Sequence, residues 1–421
     1  MNTKLKQIHL MIKPIGPQCN LNCEYCYYLE KKDLFPDGEN FIMPNSVLSA
    51  CITKYLSGMS TTNVEFIWQG GEPTLLGLDF YKQVIELQMP FAKQKVITNS
   101  IQTNGTLLDD KWCEFLVQNN FLVGLSLDGP KAVHDRYRKD HNGQPTFDRV
   151  MRGLKLLQKY GVEYNVMATV ARETAHSPNE IYRFFKEQGV QFLQFTPVVE
   201  RTADSHTEQL GLKLAGPLSL CEEEGNTTVT QWSVEPEVYG NFLITIFDQW
   251  VRNDVGSTYV MNFDWALNSW IGNPSPVCQF SQTCGQTIML EHNGDTYACD
   301  HNMYPEYKKG NIADIDHTEI IENMINKGFH IKDTNLPDSC LKCKVLKACW
   351  CGCPKHRFIK NQDGKPALNY LCKGYKRYFL YIRKYLHAMS QLLENGLPAS
   401  HIMLAFKGPI AINVSKNNNG V

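Results

Sequence analysis

Cys19, Cys23 and Cys26 lie in the run Pro17-Gln18-Cys19-Asn20-Leu21-Asn22-Cys23-Glu24-Tyr25-Cys26-Tyr27-Tyr28 and constrain this chain more than any other feature. The spacing Cys-x3-Cys-x2-Cys lets one short loop wrap three thiolates around a corner of a cubane iron-sulfur cluster, and it stops at three ligands. One iron is thereby left open, able to bind and activate a small molecule, whereas four thiolates normally confine a cluster to moving electrons. A disulfide or half of a zinc site is the plainer alternative. Neither calls for three cysteines set so closely with an aromatic before the last.

Residues Phe66-Ile67-Trp68-Gln69-Gly70-Gly71-Glu72-Pro73 read as an apolar strand ending in a Gly-Gly-Glu-Pro turn. Two glycines let the backbone approach a ligand closely, and a carboxylate with exposed carbonyls suits an ammonium group. Together the loop and the turn resemble the radical S-adenosylmethionine (SAM) enzymes. The resemblance implies that SAM chelates the open iron through its amino and carboxylate groups, and that Gly70, Gly71 and Glu72 lie against its methionine amino end.

With 421 residues and 43% hydrophobic content the chain can bury a large core, and its length suggests roughly two to three domains. A net charge of -1 gives no reason to expect nucleic acid as a partner. Residues 1–10 carry lysines but no apolar run of signal-peptide length, and no stretch approaches a membrane span. Fifteen cysteines without a secretion signal point to metal rather than disulfides, and to a reducing cytoplasm.

Short apolar or β-branched runs at Ile8–Ile12, Val64–Trp68, Val96–Gln102, Leu122–Asp128, Tyr164–Val170 and Gln191–Thr196 alternate with amphipathic stretches near 44–57, 78–91, 109–119, 146–160 and 178–188. Repeated βα units predict an α/β fold with a parallel sheet and helices outside it. Ligands then gather at the C-terminal strand ends, where the cysteine loop, Gly-Gly-Glu-Pro, Gln102-Thr103-Asn104-Gly105 and Ser126-Leu127-Asp128-Gly129 fall. Six such units match the partial (β/α)6 barrel of the radical SAM family. The expected organisation is a barrel over 1–234, in which 200–234 is a polar loop or lid, a connecting helical segment over 235–273, a cysteine-rich domain over 274–390 and a tail over 391–421.

The cysteine-rich part holds Cys278-x5-Cys284-x14-Cys299 and Cys340-x2-Cys343-x5-Cys349-x3-Cys353-x18-Cys372, eight thiols at cluster-like spacing. Zinc ribbons read much the same way in isolation. After a radical SAM core the pattern resembles the SPASM-type domain of peptide-modifying members. That resemblance places Cys278, Cys284, Cys299 and Cys353 on an inner auxiliary cluster and Cys340, Cys343, Cys349 and Cys372 on an outer one, for three 4Fe-4S clusters in all. Cys51, Cys113, Cys221 and Cys351 are left over. Cys51 and Cys113 read as small core residues, whereas Cys351 lies between Cys349 and Cys353 and competes with Cys353 for a place in the set.

Further strings, among them Met11-Ile12-Lys13-Pro14, Cys26-Tyr27-Tyr28-Leu29-Glu30, Phe195-Thr196-Pro197-Val198-Val199-Glu200 and Ala298-Cys299-Asp300-His301, resemble the anaerobic sulfatase-maturating enzymes over nearly the whole chain. Those enzymes oxidise one Cys or Ser, in a Cys/Ser-x-Pro-x-Arg segment of an unfolded or nascent sulfatase, to Cα-formylglycine. The resemblance makes Asp300 the base beside the inner cluster and sets Tyr28 and Gln69 near the substrate. Tyr25 would lie against the adenine, with Ser126 and Arg138 near the SAM carboxylate. A flavodoxin- or ferredoxin-type protein would donate electrons to a monomeric enzyme. A thioether-forming peptide modifier would share the clusters, but such enzymes usually carry a separate peptide-binding module, and the residues before Ile8 hold none. A zinc scaffold would leave the open-iron loop unexplained. Whether the target is Cys or Ser is not written in these residues.

Overall fold

The computed structural model describes residues 9–217, 227–284, 287–315, 336–360 and 366–406. Six parallel strands form its centre: β1 (His9–Lys13), β2 (Asn63–Trp68), β3 (Val96–Thr103), β4 (Phe121–Ser126), β5 (Tyr164–Val170) and β6 (Phe192–Pro197), paired in chain order. Between them run α1 (Asn45–Gly58), α2 (Gly77–Gln88), α3 (Asp110–Gln118), α4 (Lys131–Tyr137), α5 (Phe147–Tyr160) and α6 (Pro178–Glu187). Each connection returns the chain to the same sheet end, so every β-to-α loop opens on one rim. Alternate strand residues such as Leu10, Ile12, Val64, Phe66 and Trp68 are buried, as the period of two requires.

The described residues of 200–234, which are 200–217 and 227–234, include regular structure despite their polar composition. Residues 205–209 form α7 (Ser205–Gln209), closed by a capping box in which Asp204 accepts from the Thr207 backbone and Thr207 accepts from that of Asp204. The Glu222-Glu223-Glu224 run and Cys221 lie outside the described residues. After α8 (Pro236–Asn253), β7 (Tyr259–Val260) extends the sheet beyond β6, and α9 (Met261–Trp270) follows.

Hydrogen bonding continues across the boundary at 274. Strand β8 (Thr287–Glu291) pairs in parallel with β1, aligning Ile12 with Leu290 and Lys13 with Glu291, and β9 (Asp295–Tyr297) and β10 (Lys308–Asn311) add antiparallel strands outside it. One ten-stranded sheet therefore runs through barrel and cysteine-rich segment alike. Two short helices, α10 (Asp338–Leu341) and α11 (Leu346–Cys349), carry Cys340 and Cys349, with Cys343 between them. The long α12 (Cys372–Glu394) then packs on α8. Gly374 sits at that crossing, where an added Cβ would fall 1.9 Å from the Pro236 carbonyl oxygen. Beyond Glu394, residues 399–406 form a further 3-10 turn with Ile402 buried, so the expected tail is folded at least to 406, while 416–421 lie outside the described residues. No helix among the described residues is long and apolar enough to cross a membrane.

Candidate active site at the strand ends

The cysteine loop leaves β1 and is tied down on both sides. Gly71 and Glu72 donate backbone N–H groups to the Gly16 and Gln18 carbonyls at 2.8 and 2.9 Å, while Asn22 and Glu24 donate to Lys139 and Tyr137 at 2.7 and 3.1 Å. The three thiols are largely buried. That burial pushes Cys23 up to about 12, against the pull of the Arg138 charge, and raises Cys19 and Cys26 as well. Such thiols become thiolates readily only beside strong positive charge, which iron supplies. The donor set therefore fits a cluster held by Cys19, Cys23 and Cys26.

Gly71 cannot carry a side chain, because a Cβ would fall 1.8 Å from the Gln18 carbonyl oxygen. Glu72 turns its side chain inward. Its carboxylate is completely buried: Oε1 accepts from Thr74 N, Thr74 Oγ1 and Thr103 Oγ1 at 3.1, 2.5 and 2.7 Å, and Oε2 from Asn104 N at 2.8 Å. Glu72 thus pins the turn to the end of β3 from beneath. The buried Asn104 amide in turn reaches Asn20 Oδ1 at 2.8 Å, linking β3 to the cysteine loop.

Arg138 belongs to no exposed loop. It is 7% exposed and meets Asp128 twice, from Nε at 2.9 Å and Nη2 at 3.1 Å, with Nη2 also 3.2 Å from Thr169 Oγ1. Tyr25 donates to the same Asp128 carboxylate at 2.6 Å and packs against Tyr137. Although burial works against the Asp128 charge, Arg138 holds its carboxyl below the usual range. Tyr25, Asp128 and Arg138 form one buried network behind Cys23. Ser126, at the end of β4, accepts from Gln102 Nε2 at 3.0 Å.

Asp300 lies across the rim, 18% exposed at its side chain. It accepts from the Tyr27 hydroxyl at 2.6 Å, lies 4.0 Å from Lys13 Nζ and accepts from Cys299 Sγ at 3.5 Å. Burial would raise this carboxyl, but His301, Lys13 and the hydrogen bonds from Tyr27 and Cys299 outweigh it and hold it well below the carboxylate range. Tyr28 donates to the buried Glu291 of β8, while Lys13 covers its ring at 4.3 Å. Lys355 spans the same region, 2.5 Å from Glu200 Oε1 and 4.5 Å from the Tyr27 ring centre. Gln69 donates its backbone N–H to Ile12 at 2.9 Å where β1 and β2 end.

The late cysteines fall into two groups. Cys299 feels the charges of Cys353 and Cys278, and Cys353 Sγ lies 3.9 Å from His301 Nδ1. Cys284 ends the described stretch before 285. Separately, Cys340, Cys343, Cys349, Cys351 and Cys372 line one pocket with Asn369 and Lys376. Cys353 thus sits on the Cys299 side, and Cys351 on the other.

Residues 14–185 match the model of the Radical SAM superfamily. The chain is 45% identical over 404 residues to a serine-type anaerobic sulfatase-maturating enzyme of Bacteroides thetaiotaomicron, covering 96% of each. The chain belongs to the anaerobic sulfatase-maturating enzymes. A cysteine-type member from Clostridium perfringens is 36% identical over 377 residues, 89% of this chain and 96% of the relative. The structure of native anSMEcpe with bound AdoMet and Cp18Cys peptide superposes with a TM-score of 0.78 at 33% identity, covering 91% of this chain and 99% of that one. For this sulfatase-maturating enzyme the sequence alone did not single out Tyr27, Lys13, His301, Lys355 or Asp128. Asp128 was signalled only by the Ser-Leu-Asp-Gly turn, and Lys13 only by the Met11-Ile12-Lys13-Pro14 string.

Proposed function

We propose that this chain oxidises the side chain of one Ser or Cys in a sulfatase Ser/Cys-x-Pro-x-Arg segment to Cα-formylglycine, and that the observation carrying this reading is the placement of Asp300, between Cys299, Tyr27 and Lys13, on the rim that holds the three-cysteine loop. When bound, SAM and the Cys19/Cys23/Cys26 cluster supply a 5'-deoxyadenosyl radical, and two auxiliary clusters supply an acceptor for the electron left on the substrate carbon. At Ser the overall change removes one hydrogen atom from Cβ, one proton from the hydroxyl and one electron, leaving the aldehyde; at Cys the same loss, with the proton taken from the thiol, leaves a thioaldehyde that water hydrolyses to the aldehyde with release of hydrogen sulfide. Asp300 takes the proton. Lys13 and His301 keep its carboxylate ionised and ready to accept, and Tyr27 fixes its direction. Cys278, Cys284, Cys299 and Cys353 would hold the inner auxiliary cluster beside that base, and Cys340, Cys343, Cys349 and Cys372 the outer one. Gly70 and Gly71 offer the turn backbone to the SAM amino group, with Tyr25, Ser126 and Arg138 behind the cofactor and Gln69 and Tyr28 toward the peptide. A flavodoxin- or ferredoxin-type donor acting on a monomer in the reducing cytoplasm completes the reading.

The identity of 45% to a serine-type relative against 36% to a cysteine-type one makes serine the first target to test. Anaerobic incubation of reconstituted protein, SAM and a reductant with Ser-x-Pro-x-Arg and Cys-x-Pro-x-Arg peptides, read by mass for aldehyde, is the experiment. Aldehyde on the seryl peptide is expected. SAM cleavage with a crosslinked product, or with no peptide product, would overturn the assignment.

A further inference from the structure

Cys351 has no place in either four-cysteine set, yet the backbone is shaped around it. Trp350, Cys351 and Gly352 all take left-handed conformations, with φ of 44°, 57° and 59°. Only glycine does so freely, and an L-residue there is strained by its Cβ. The turn is held from outside. Arg357 donates from Nη2 to the Trp350 carbonyl at 2.8 Å and from Nε to that of Cys351 at 3.2 Å, and Asn369 Nδ2 donates to the Cys351 and Cys353 carbonyls at 3.1 and 3.2 Å. Thus held, the turn sends successive cysteines to opposite sides. Cys353 faces His301 at 3.9 Å, whereas Cys351, 3% exposed, enters the pocket of Cys340, Cys343, Cys349 and Cys372 and hydrogen-bonds Cys340. That pocket offers five thiols to a cluster with four irons.

We propose that Cys351 is an alternative ligand for the iron that Cys340 holds, the two thiols exchanging at one corner of the outer cluster. The inference rests on the reading of that pocket as a four-iron site. In the exchange the iron–sulfur bond to Cys340 breaks and one to Cys351 forms. The proton released by Cys351 passes to the departing Cys340 thiolate, so the iron oxidation state and the net charge are unchanged. Cys340 is the partner because its thiol is the one hydrogen-bonded to Cys351, within reach of the same iron.

The test measures iron per chain and the reduced-state electron paramagnetic resonance spectrum of the full-length protein after anaerobic reconstitution. The wild type, Cys340→Ala and Cys351→Ala should each hold about twelve irons and show the same outer-cluster signal, while Cys340→Ala/Cys351→Ala, left with Cys343, Cys349 and Cys372, should lose or change that signal. A wild type with about four irons would overturn the two-auxiliary-cluster reading and this proposal with it. A wild type with about twelve whose Cys340→Ala variant loses or changes the outer-cluster signal overturns the exchange alone, as does a double variant that keeps the wild-type signal. Should Cys340→Ala prove insoluble, Cys340→Ser is compared with and without Cys351→Ala. An outer-cluster signal present in the first and lost in the second supports the exchange, and any other pattern overturns it.

Discussion

A half-buried carboxylate that acts as a base has two competing needs, to stay charged and to accept a proton. At Asp300 the charges of His301 and Lys13 and the Tyr27 hydroxyl satisfy the first strongly. Asp300→Asn keeps the size and some of the hydrogen bonding but removes the acceptor. It should still cleave SAM while formylglycine per 5'-deoxyadenosine falls on the order of a hundred- to ten-thousand-fold. Tyr27→Phe removes a single charge-assisted hydrogen bond worth about 1.5–3 kcal/mol, so a loss nearer ten- to a hundredfold is expected, and a loss as large as that of Asp300→Asn would make Tyr27 more than a positioning residue. A second residue-scale prediction concerns His134, buried under β4 with Nε2 3.0 Å from Thr146 Oγ1. Burial lowers it to about 3, with the Arg138 charge adding to the effect and Asp128 opposing it. The folded chain therefore refuses a proton that the unfolded chain accepts below about pH 6.5. This contribution is neutral above pH 6.5, costs stability as pH falls, and stops growing near pH 3. At pH 5 it amounts to about 2 kcal/mol. Chemical denaturation at pH 7 and pH 5 should show that difference in the wild type and a smaller one in His134→Gln; equal slopes would exclude the histidine as the cause.

Among the elements, the Gly-Gly-Glu-Pro turn shows how tightly the rim is assembled. Gly71→Ala would drive a methyl group into the Gln18 carbonyl and break the backbone bonds that seat the cysteine loop. Iron should fall from about twelve to about eight with SAM cleavage lost and the auxiliary signals intact; retention of SAM cleavage would mean that the loop can reseat. The existence of this rim was legible because strand periodicity, loop position and glycine placement all point the same way, and the six strands lie within a few residues of where alternation puts them. The orientation of adjacent side chains was less legible. Tyr27 and Tyr28 are neighbours of one type, and only the three-dimensional path decides which hydroxyl meets Asp300 and which meets Glu291. Glu72 illustrates the same limit, since its inward turn depends on Thr74, Thr103 and Asn104, partners from a turn and from another strand. Strand β8 carries an apolar signal in Thr287-Ile288-Met289-Leu290-Glu291, but β9 and β10 are short and polar enough that cysteine spacing dominates the segment.

At the scale of the whole molecule, the cysteine-rich segment is structurally continuous with the barrel. Strand β8 covers the outer edge of β1, and Glu291 from that strand is the partner that fixes Tyr28. On the opposite side α12 lays Tyr375, Tyr378, Phe379, Ile382, Leu386 and Met389 along one buried face, with Tyr375 against Tyr239 and Phe263 against Tyr378. A chain ending at 273 would therefore lose the cover of a parallel edge strand and of the α8 face that meets α12, on which Tyr239 packs against Tyr375, Gly240 against Gly374 and Phe247 against Tyr385. Fully exposing one such side chain costs about 1.5–3 kcal/mol. Exposing even half of that face costs on the order of 5 kcal/mol, a large share of the roughly 5–15 kcal/mol that holds a domain folded. An unpaired β1 edge would add a template for association between chains. Residues 1–273 expressed alone should accordingly aggregate, while a full-length protein carrying as alanine the eight late cysteines proposed as ligands should keep the sheet and lose only the iron of the second half. Circular dichroism and size-exclusion chromatography distinguish the two. A soluble, monomeric 1–273 fragment that still cleaves SAM would show instead that the barrel is an independent folding unit and that β8 and α12 dock onto a surface already stable without them.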